Sequence, residues 1–222
     1  MKKQNTPFRI IYEDKEIIAV YKRSGLLSIA KEPGDYNNLY HQVREYINHK
    51  NEKIFVVHRL DRDTSGILVF AKNIRMKEIL QKEFEERKVR RIYEALIQEH
   101  IPLGTKKRVV QYLKRNLKSN VTYVSKKKEG AKEAITNLTA VSYRGNQTVL
   151  KIEIETGRQN QIRLALLSLH YTLIGDKKYQ EGQKGRMMLN AYQLIFSENC
   201  PIKKKEFSTA PLWLTETNVQ KI

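Results

Sequence analysis

Apolar and polar residues alternate along the chain with two different periods, which together predict an α+β fold. A period near 3.6 predicts surface helices over residues 37–50 and 74–90, each with charged residues on its outer face. A third helix is expected to begin at Thr156 or Gly157, with Ile162, Leu166 and Leu169 on its buried side. Short runs rich in β-branched residues predict strands at residues 10–12, 17–22, 54–57, 67–72, 90–97, 134–141 and 148–154.

A dense polar cluster stands between two of these predicted strands. Residues 58–66 read His-Arg-Leu-Asp-Arg-Asp-Thr-Ser-Gly, and Ser65 and Gly66 have the chemistry expected of a turn between strands. Loops held by rigid strands often carry functional side chains. A guanidinium of Arg59 or Arg62 folded onto Asp61 would keep this carboxylate ionised and lower its pKa. The alternative is a weak surface ion-pair network at the end of a hairpin.

The overall charge favours a polyanionic partner. Lysine and arginine number 42 against 24 acidic residues, which gives a formal net charge of +18 and a pI near 9.8. A charge of this size on a chain of 222 residues is typical of nucleic-acid binding. A lysine-rich surface that only maintains solubility is the alternative, and the absence of a long basic amphipathic helix argues against a membrane-surface role.

Cysteine and histidine usage points away from disulfide and metal chemistry. Cys200 is the single cysteine and the five histidines are scattered, so we expect neither a zinc site nor a disulfide. Polar residues follow the first three positions where a signal peptide would be apolar, and no apolar run reaches membrane-spanning length. We therefore expect a soluble cytoplasmic protein.

A basic stretch from residue 106 to residue 132 is the second candidate for function. Glu129 is its one acid, and Tyr112 and Tyr123 lie among the basic residues. Clustered basic residues with interleaved aromatics suit a nucleic-acid backbone, although a solvated charge run has the same composition. Apolar residues within the stretch predict strands or a β-ribbon. Its basic residues are Lys106, Lys107, Arg108, Lys114, Arg115, Lys118, Lys126, Lys127, Lys128 and Lys132.

Residues 58–73, HRLDRDTSGILVFAKN, resemble the signature of the RluA-type family of RNA pseudouridine synthases. The resemblance implies that Asp61 is the catalytic residue. The strand at residues 90–97 is similar to one whose tyrosine lines the uridine pocket in the family, which implies that role for Tyr93. Residues 156–163 resemble the family motif Thr-Gly-Arg-x-His-Gln-Ile-Arg, whose last arginine pairs with the catalytic aspartate. That role falls to Arg163, while Asn160 replaces the motif histidine.

The resemblance extends over residues 9–212 and implies the pseudouridine synthase fold, with a mixed, mostly antiparallel central sheet, flanking helices and a catalytic cleft. Residues 175–179 match the family's Gly-Asp-x-x-Tyr turn, Asn190 replaces a second family histidine, and residues 207–212 resemble the closing strand. We expect a polar leader at residues 1–8 and one catalytic domain at residues 9–222, with no accessory RNA-binding domain before it.

The resemblance implies an enzyme that isomerises uridines in ribosomal or transfer RNA by base flipping, cleavage of the N-glycosidic bond and reattachment through C5. Uridine supplies all the reacting atoms, so no cofactor and no metal are expected, and we take a monomer as the default. A catalytically silent RNA-binding protein and a glycoside hydrolase using Asp61 and Asp63 are the alternatives. The residues expected to contact RNA are Arg59, Arg62, Arg158, Lys106, Lys107, Arg108, Lys126, Lys127 and Lys128.

Overall fold

The structure is a computed structural model that describes residues 8–48, 52–116, 118–119, 121–126 and 129–210. The chain divides into two compact units. Unit 1 comprises residues 1–89 and 191–222, and unit 2 comprises residues 90–190. The assignment of residues 9–222 to one catalytic domain stays a prediction. Phe8, which the sequence placed in the polar leader, is buried within the first strand.

Strands and three helices make up the regular structure of the described residues, which confirms the α+β class. In chain order the elements are β1 (Phe8–Glu13), β2 (Ile17–Lys22), α1 (Leu39–Asn48), β3 (Phe55–Val56), β4 (Ser65–Ala71), α2 (Ile74–Glu85), β5 (Arg90–Ile97), β6 (Lys106–Asn116), β7 (Val121–Val124), β8 (Lys132–Arg144), β9 (Gln147–Ile154), α3 (Gln161–Ser168), β10 (Leu189–Ile195) and β11 (Glu206–Ser208).

Unit 1 contains the antiparallel strand set β1–β2–β4, with the short strand β3 also paired to β4. The strands β10 and β11 pair with each other through residues 193–195. Every residue of β4 is buried, as expected for a strand that reads as a continuous apolar run. The core of this unit joins β4 to helix α2, which contributes Met76 and Leu80, and to the second chain segment through Leu194 and Phe207.

Unit 2 contains an antiparallel sheet in the order β5–β9–β8–β6–β7. Its core lies between this sheet and helix α3, where Ala95, Leu150 and Ile152 pack against Ile162 and Leu166. The strand at residues 90–97 has the predicted bounds. No helix among the described residues is both long and apolar enough to cross a membrane.

Three predicted elements differ from the structure. Helix α2 ends at Glu85 instead of residue 90, because Arg87 adopts a left-handed φ of 58° and closes the helix. The strand expected at residues 54–57 is reduced to the half-buried pair Phe55–Val56. Helix α3 begins at Gln161 rather than at Thr156 or Gly157, because Asn160 also has a left-handed φ, of 56°.

Candidate active site

The loop at residues 57–64 lies in unit 1 between β3 and β4, and is called the catalytic loop after the role expected of Asp61. Asp61 is half-buried, and its neighbours Leu60 and Thr64 are 8% and 3% exposed. The backbone N–H of Thr64 donates to the Asp61 carbonyl at 3.2 Å, which closes a turn at Arg62 and Asp63. The turn expected at Ser65 and Gly66 was therefore wrong, because both residues already belong to β4. The loop carries two carboxylates, Asp61 and Asp63, on a backbone that joins two strands.

Lys22 is a buried lysine that ties this loop to the chain after β2. Its side chain is fully buried, and its ammonium donates to the carbonyls of Arg23 at 3.1 Å, Leu26 at 2.7 Å and Arg62 at 2.9 Å. An ammonium has three N–H donors and no acceptor, so these three bonds match its capacity. Arg62 immediately follows Asp61 in the chain, and Lys22 thus fixes the backbone beside the candidate catalytic residue.

Two serines after β2 extend this connection on either side of Asp61. The hydroxyl of Ser28 donates to the Leu60 carbonyl at 2.8 Å and accepts from the Leu60 N–H at 3.0 Å. The hydroxyl of Ser24 donates to the carbonyl of Asp63 at 2.7 Å. The segment at residues 22–28 therefore braces the catalytic loop before and after Asp61. This role is not visible in the sequence, because lysine and serine near a turn carry no distinctive signal.

His58 has a structural role at the start of the motif. Its Nε2 accepts a hydrogen bond from the Val69 N–H at 3.0 Å, and its ring stacks on Phe84 with 4.6 Å between centroids. These contacts join the motif to β4 and to helix α2. The histidine is thus used to hold the loop.

Gly66 permits a close backbone approach directly after the catalytic loop. Its φ is +123°, a region that L side chains rarely adopt, and a Cβ placed there would overlap the Ala191 carbonyl oxygen. Any side chain at this position would push β4 away from the chain at residue 191. The glycine of the motif is therefore required by packing.

Two arginines flank Asp61 in the loop, and both are exposed. The Nε of Arg62 donates to the Gly25 carbonyl at 3.1 Å, which leaves the rest of its guanidinium at the surface of the loop. Arg59 precedes Leu60, and its long side chain extends into solvent. Pairing of either guanidinium with Asp61 stays a prediction.

Tyr93 belongs to unit 2, where it lies on β5 opposite Ile152 of β9. It is half-buried and packs against the core that contains Ala95 and Ile97, so these three residues face the same side of the sheet. The ring is thereby held by apolar packing, and its position is set by β5.

Arg163 lies in the first turn of α3 in unit 2 and is held by buried polar partners. Its Nε donates to Asp176 Oδ2 at 2.9 Å, and its Nη2 donates to Asp176 Oδ1. Its Nη1 donates to the Asn160 side-chain oxygen at 3.0 Å. The side chains of Arg163 and Asp176 are 4% and 1% exposed. These bonds use three of the five guanidinium N–H groups and fix the plane of the group.

Asn160, at the position of the motif histidine, connects Arg163 to Tyr179. Its amide nitrogen donates to the Tyr179 hydroxyl at 3.0 Å, while its oxygen accepts from Arg163. Asparagine tolerates the left-handed conformation found here better than most residues. The Tyr179 ring lies 4.8 Å from the Arg163 guanidinium carbon, in cation–π range. The second substituted position, Asn190, is fully buried on β10.

The segment leading into α3 is held by Gln161. Its side-chain oxygen accepts from the Thr156 hydroxyl at 2.7 Å and from the Arg158 N–H at 3.0 Å. Its amide donates to the Ile135 carbonyl at 2.8 Å. The Thr-Gly-Arg portion of the motif is therefore a loop folded around one glutamine, ahead of the helix.

The residues expected to contact RNA have different environments in unit 2. Lys106 and Lys107 are exposed at the start of β6, and Lys126 is exposed after β7. Arg108 donates to both carboxylate oxygens of Glu155, at 3.2 and 3.3 Å. The Nε of Arg158 donates to the Glu133 carbonyl at 3.0 Å, so this arginine is partly engaged within the protein. Lys127 and Lys128 lie outside the described residues.

Two glutamates on the sheet of unit 2 have shifted pKa values of opposite sign. Burial raises the pKa of Glu94 on β5 above its ordinary 4.5, and the nearby Lys151 opposes this only in part. A hydrogen bond from Arg90 lowers the pKa of Glu153 on β9. Within the described parts of the chain, no three His, Cys, Asp or Glu side chains cluster as metal ligands would.

Comparison with known proteins decides the family. The profile of the family described as RNA pseudouridylate synthase matches residues 16–168, which include Asp61, Tyr93 and Arg163. The chain belongs to this family. It is 32% identical over 224 residues to "Ribosomal large subunit pseudouridine synthase D" of Borreliella burgdorferi, covering 95% of this chain and 68% of that protein. It is 31% identical over 195 residues to "Dual-specificity RNA pseudouridine synthase RluA" of Vibrio cholerae, covering 84% and 76%.

The fold agrees with this assignment. The solved structure titled "Human RNA Pseudouridylate Synthase Domain Containing 1" superposes with a TM-score of 0.77 at 24% identity, covering 97% of this chain and 89% of that one. Of several other curated relatives the chain spans between 56% and 62% of the length. The pseudouridine synthase fold and the RluA-type membership expected from the motifs are confirmed. The chain is thus an RNA pseudouridine synthase by family, an isomerase that acts on uridine in RNA.

Proposed function

We propose that this protein converts specific uridines of ribosomal or transfer RNA to pseudouridine, with Asp61 as the catalytic residue. The observation that carries the proposal is the half-buried Asp61 on a loop whose backbone is fixed by Lys22, Ser24 and Ser28. A carboxylate held in this way is preorganised, which lowers the reorganisation needed when charge develops at the sugar. The family membership supports the chemistry assigned to it.

The reaction rearranges uridine without adding or removing atoms. The N1–C1′ bond breaks, the uracil turns within the site, and a C5–C1′ bond forms. The proton on C5 leaves, and N1 gains a proton. The ionised carboxylate of Asp61 serves this chemistry either by bonding to C1′ or by removing the 2′ proton. Neither route includes a redox step.

Tyr93 and Arg163 are proposed to act with Asp61. A tyrosine held by core packing offers its face to a flipped pyrimidine and its hydroxyl to a proton. The Arg163 guanidinium is bound to Asp176 through its Nε edge, an arrangement that also suits donation to a second carboxylate. Pairing with Asp61 would keep that carboxylate ionised and oriented. Arg163 is therefore proposed as a positioning residue.

RNA binding is proposed to rest on the basic surface and on Arg59. Extracting a stacked uridine costs a few kcal/mol, which phosphate contacts offset. Arg59 is exposed two residues before Asp61, where its planar side chain suits the gap that a flipped base leaves. The name of one relative, a ribosomal large subunit enzyme, supports ribosomal RNA as the substrate, and transfer RNA is the other substrate that we propose. A monomer acting in the cytoplasm is part of this proposal.

The test compares Asp61→Asn with Asp63→Asn, an acid two positions away in the same turn. Only the backbone carbonyl of Asp63 is used by Ser24, so the second substitution leaves that bond intact. Pseudouridines are mapped in total RNA from cells that carry each variant or lack the gene. We expect Asp61→Asn to abolish the modification while RNA affinity stays near normal, and Asp63→Asn to retain it.

Two outcomes would contradict the proposal. Full modification by Asp61→Asn would remove Asp61 from the mechanism. Identical pseudouridine maps with and without the gene, combined with normal RNA binding, would favour the catalytically silent protein.

A further inference from the structure

The hairpin formed by β6 and β7 in unit 2 has a concave site that the chemistry assigned to Asp61, Tyr93 and Arg163 does not use. The cavity has a volume of about 560 Å³. This volume is within the range of ~300–1,000 Å³ that small-molecule sites in proteins occupy. The residues lining it are Lys114, Tyr123, Ser125, Lys126, Glu129 and Gly130.

The strand register places an aromatic ring beside an ammonium in this cavity. Lys114 of β6 lies directly opposite Tyr123 of β7, so the two side chains stand on the same face of the hairpin. The Tyr123 side chain is 42% exposed, and Lys114 is exposed as well. An exposed tyrosine next to a lysine is the pairing from which single-stranded nucleic-acid sites are built.

The hairpin is fixed by buried contacts on its other face. Thr122 is 4% exposed and points away from Tyr123, because successive side chains of a strand face opposite sides. The Thr122 carbonyl accepts a hydrogen bond from the Tyr179 hydroxyl at 2.9 Å. Leu113 of β6 packs with Ala134 and Leu164. The direction in which Tyr123 projects is therefore set by the core of unit 2.

Gly130 lines the cavity beside the Lys114 side chain. The Lys114 ammonium lies so close that a Cβ on Gly130 would be 3.4 Å from it. Gly130 also has a φ of +66°, which a glycine adopts without strain. The cavity thus combines two ammonium groups, Lys114 and Lys126, with one carboxylate, Glu129.

We propose that this cavity binds one unpaired nucleotide of the substrate RNA, other than the uridine that reacts. The inference rests on the proposed function only in taking RNA as the substrate. The base stacks on Tyr123, and its phosphate is bound by Lys114 and Lys126. The Glu129 carboxylate repels phosphate, but it accepts hydrogen bonds from an exocyclic amino group. The site therefore favours cytidine over uridine, since uracil lacks that group.

The first test measures stacking with two unpaired RNA hexamers, oligocytidylate and oligouridylate. Tyr123→Ala should weaken hexamer binding by roughly 5- to 150-fold, the loss expected for one stacked base. Tyr123→Phe keeps the ring and should recover most of that affinity. Tyr143→Ala is the matched control, because Tyr143 is a similarly exposed tyrosine (40%) at the far end of β8 in the same unit.

The second test measures what each charged side chain of the cavity contributes to binding. Replacing Lys114 or Lys126 by Met should reduce the slope of log affinity against log salt by about 0.7 for each phosphate that the variant no longer binds. Glu129→Ala should abolish the preference for oligocytidylate over oligouridylate. Thermal melting of each variant checks that the fold is intact, and the Tyr123→Phe rescue excludes a purely structural loss.

The outcomes distinguish a failure of the nucleotide-site proposal from a failure of the proposed function. If Tyr123→Ala binds the hexamers as Tyr143→Ala does, the nucleotide site is refuted whether or not the protein makes pseudouridine. If Tyr123→Ala loses affinity and Tyr123→Phe regains it, the site stands even where the gene leaves the pseudouridine map unchanged. On a substrate RNA that the protein modifies, the loss should raise KM more than it lowers kcat.

Discussion

Arg163 and Asp176 form a buried ion pair that joins helix α3 to the turn 13 residues later in the chain. The two side chains are 4% and 1% exposed, so neither charge is solvated by bulk water. Asp176 also accepts the backbone N–H groups of Lys178 and Tyr179, at 3.1 and 3.3 Å. The position of Arg163 is therefore decided within unit 2 before any substrate binds.

Removing the charge of Asp176 should strand the guanidinium of Arg163. We expect Asp176→Asn to lower the free energy of unfolding by ~3–5 kcal/mol, the usual cost of breaking a buried pair. The exposed pair between Arg90 and Glu153 is the control, and Glu153→Gln should cost at most ~1 kcal/mol at neutral pH. Urea unfolding measures the free energy of unfolding of the two variants. Equal losses would show that the buried pair contributes no more to stability than the exposed pair.

Replacing Lys22 by Met should disrupt the catalytic loop. The substitution keeps the apolar stem but leaves the carbonyls of Arg23, Leu26 and Arg62 without their ammonium donor. An unsatisfied buried group costs ~1–3 kcal/mol, and we expect a fall in kcat together with the loss of stability. Lys15→Met, an exposed lysine of the same unit, should leave both unchanged. Wild-type activity in Lys22→Met would show that the loop is held by other contacts.

Gly66→Ala should be among the most damaging single substitutions in unit 1. The new Cβ would overlap the Ala191 carbonyl oxygen and would sit at a φ of +123°. Backbone strain and overpacking each cost ~1–3 kcal/mol. Gly104→Ala is the control, since its φ is +80° and nothing lies within 4 Å of its Cβ position. Equal melting temperatures of the Gly66→Ala and Gly104→Ala variants would show that the positive φ shared by both positions causes the loss of stability. The overlap with Ala191 would then make no contribution.

Glu94 should make the protein less stable as pH rises. Its folded-state pKa is raised by burial, so ionisation is less favourable in the folded than in the unfolded chain. The destabilisation is absent below the ordinary pKa of 4.5 and is complete above the raised value. Glu94→Gln should therefore raise the urea midpoint at pH ~7.5 and have little effect at pH ~4.

Glu153 provides the control of opposite sign for this pH dependence. Its pKa is lowered by Arg90, so it stabilises the fold above its ordinary pKa, and that contribution is lost as pH falls. Glu153→Gln should therefore lower the urea midpoint at neutral pH, with the loss shrinking in acid. A Glu94→Gln effect that does not vary with pH would show that packing, rather than ionisation, is responsible.

The sequence predicted most strands well, because a strand depends on a local pattern of side chains. The alternation of Tyr93, Ala95 and Ile97 defined β5, and these residues do face one core. The glycine of the motif was less informative. Gly66 resembles a turn residue in the sequence, whereas the structure uses it for a close approach to Ala191.

What the sequence could not provide were contacts between residues far apart in the chain. Lys22 appears in the sequence as an ordinary polar strand end, yet its ammonium is buried among three carbonyls, one of them 40 residues away. The start of α3 depended on the left-handed conformation of Asn160, which no periodic pattern reveals. The partner of Arg163 within its own unit, Asp176, is visible only once the turn has folded against the helix.

The contact between Gly66 and Ala191 has a consequence for biosynthesis. Unit 1 is assembled from two stretches of chain, and all of residues 90–190 are made between them. A ribosome delivers the N-terminal stretch first, so the strand that follows the catalytic loop emerges long before the segment it packs against. The packing around the strand that follows this loop is therefore completed late in translation, and a nascent chain that stops short of residue 191 lacks this contact.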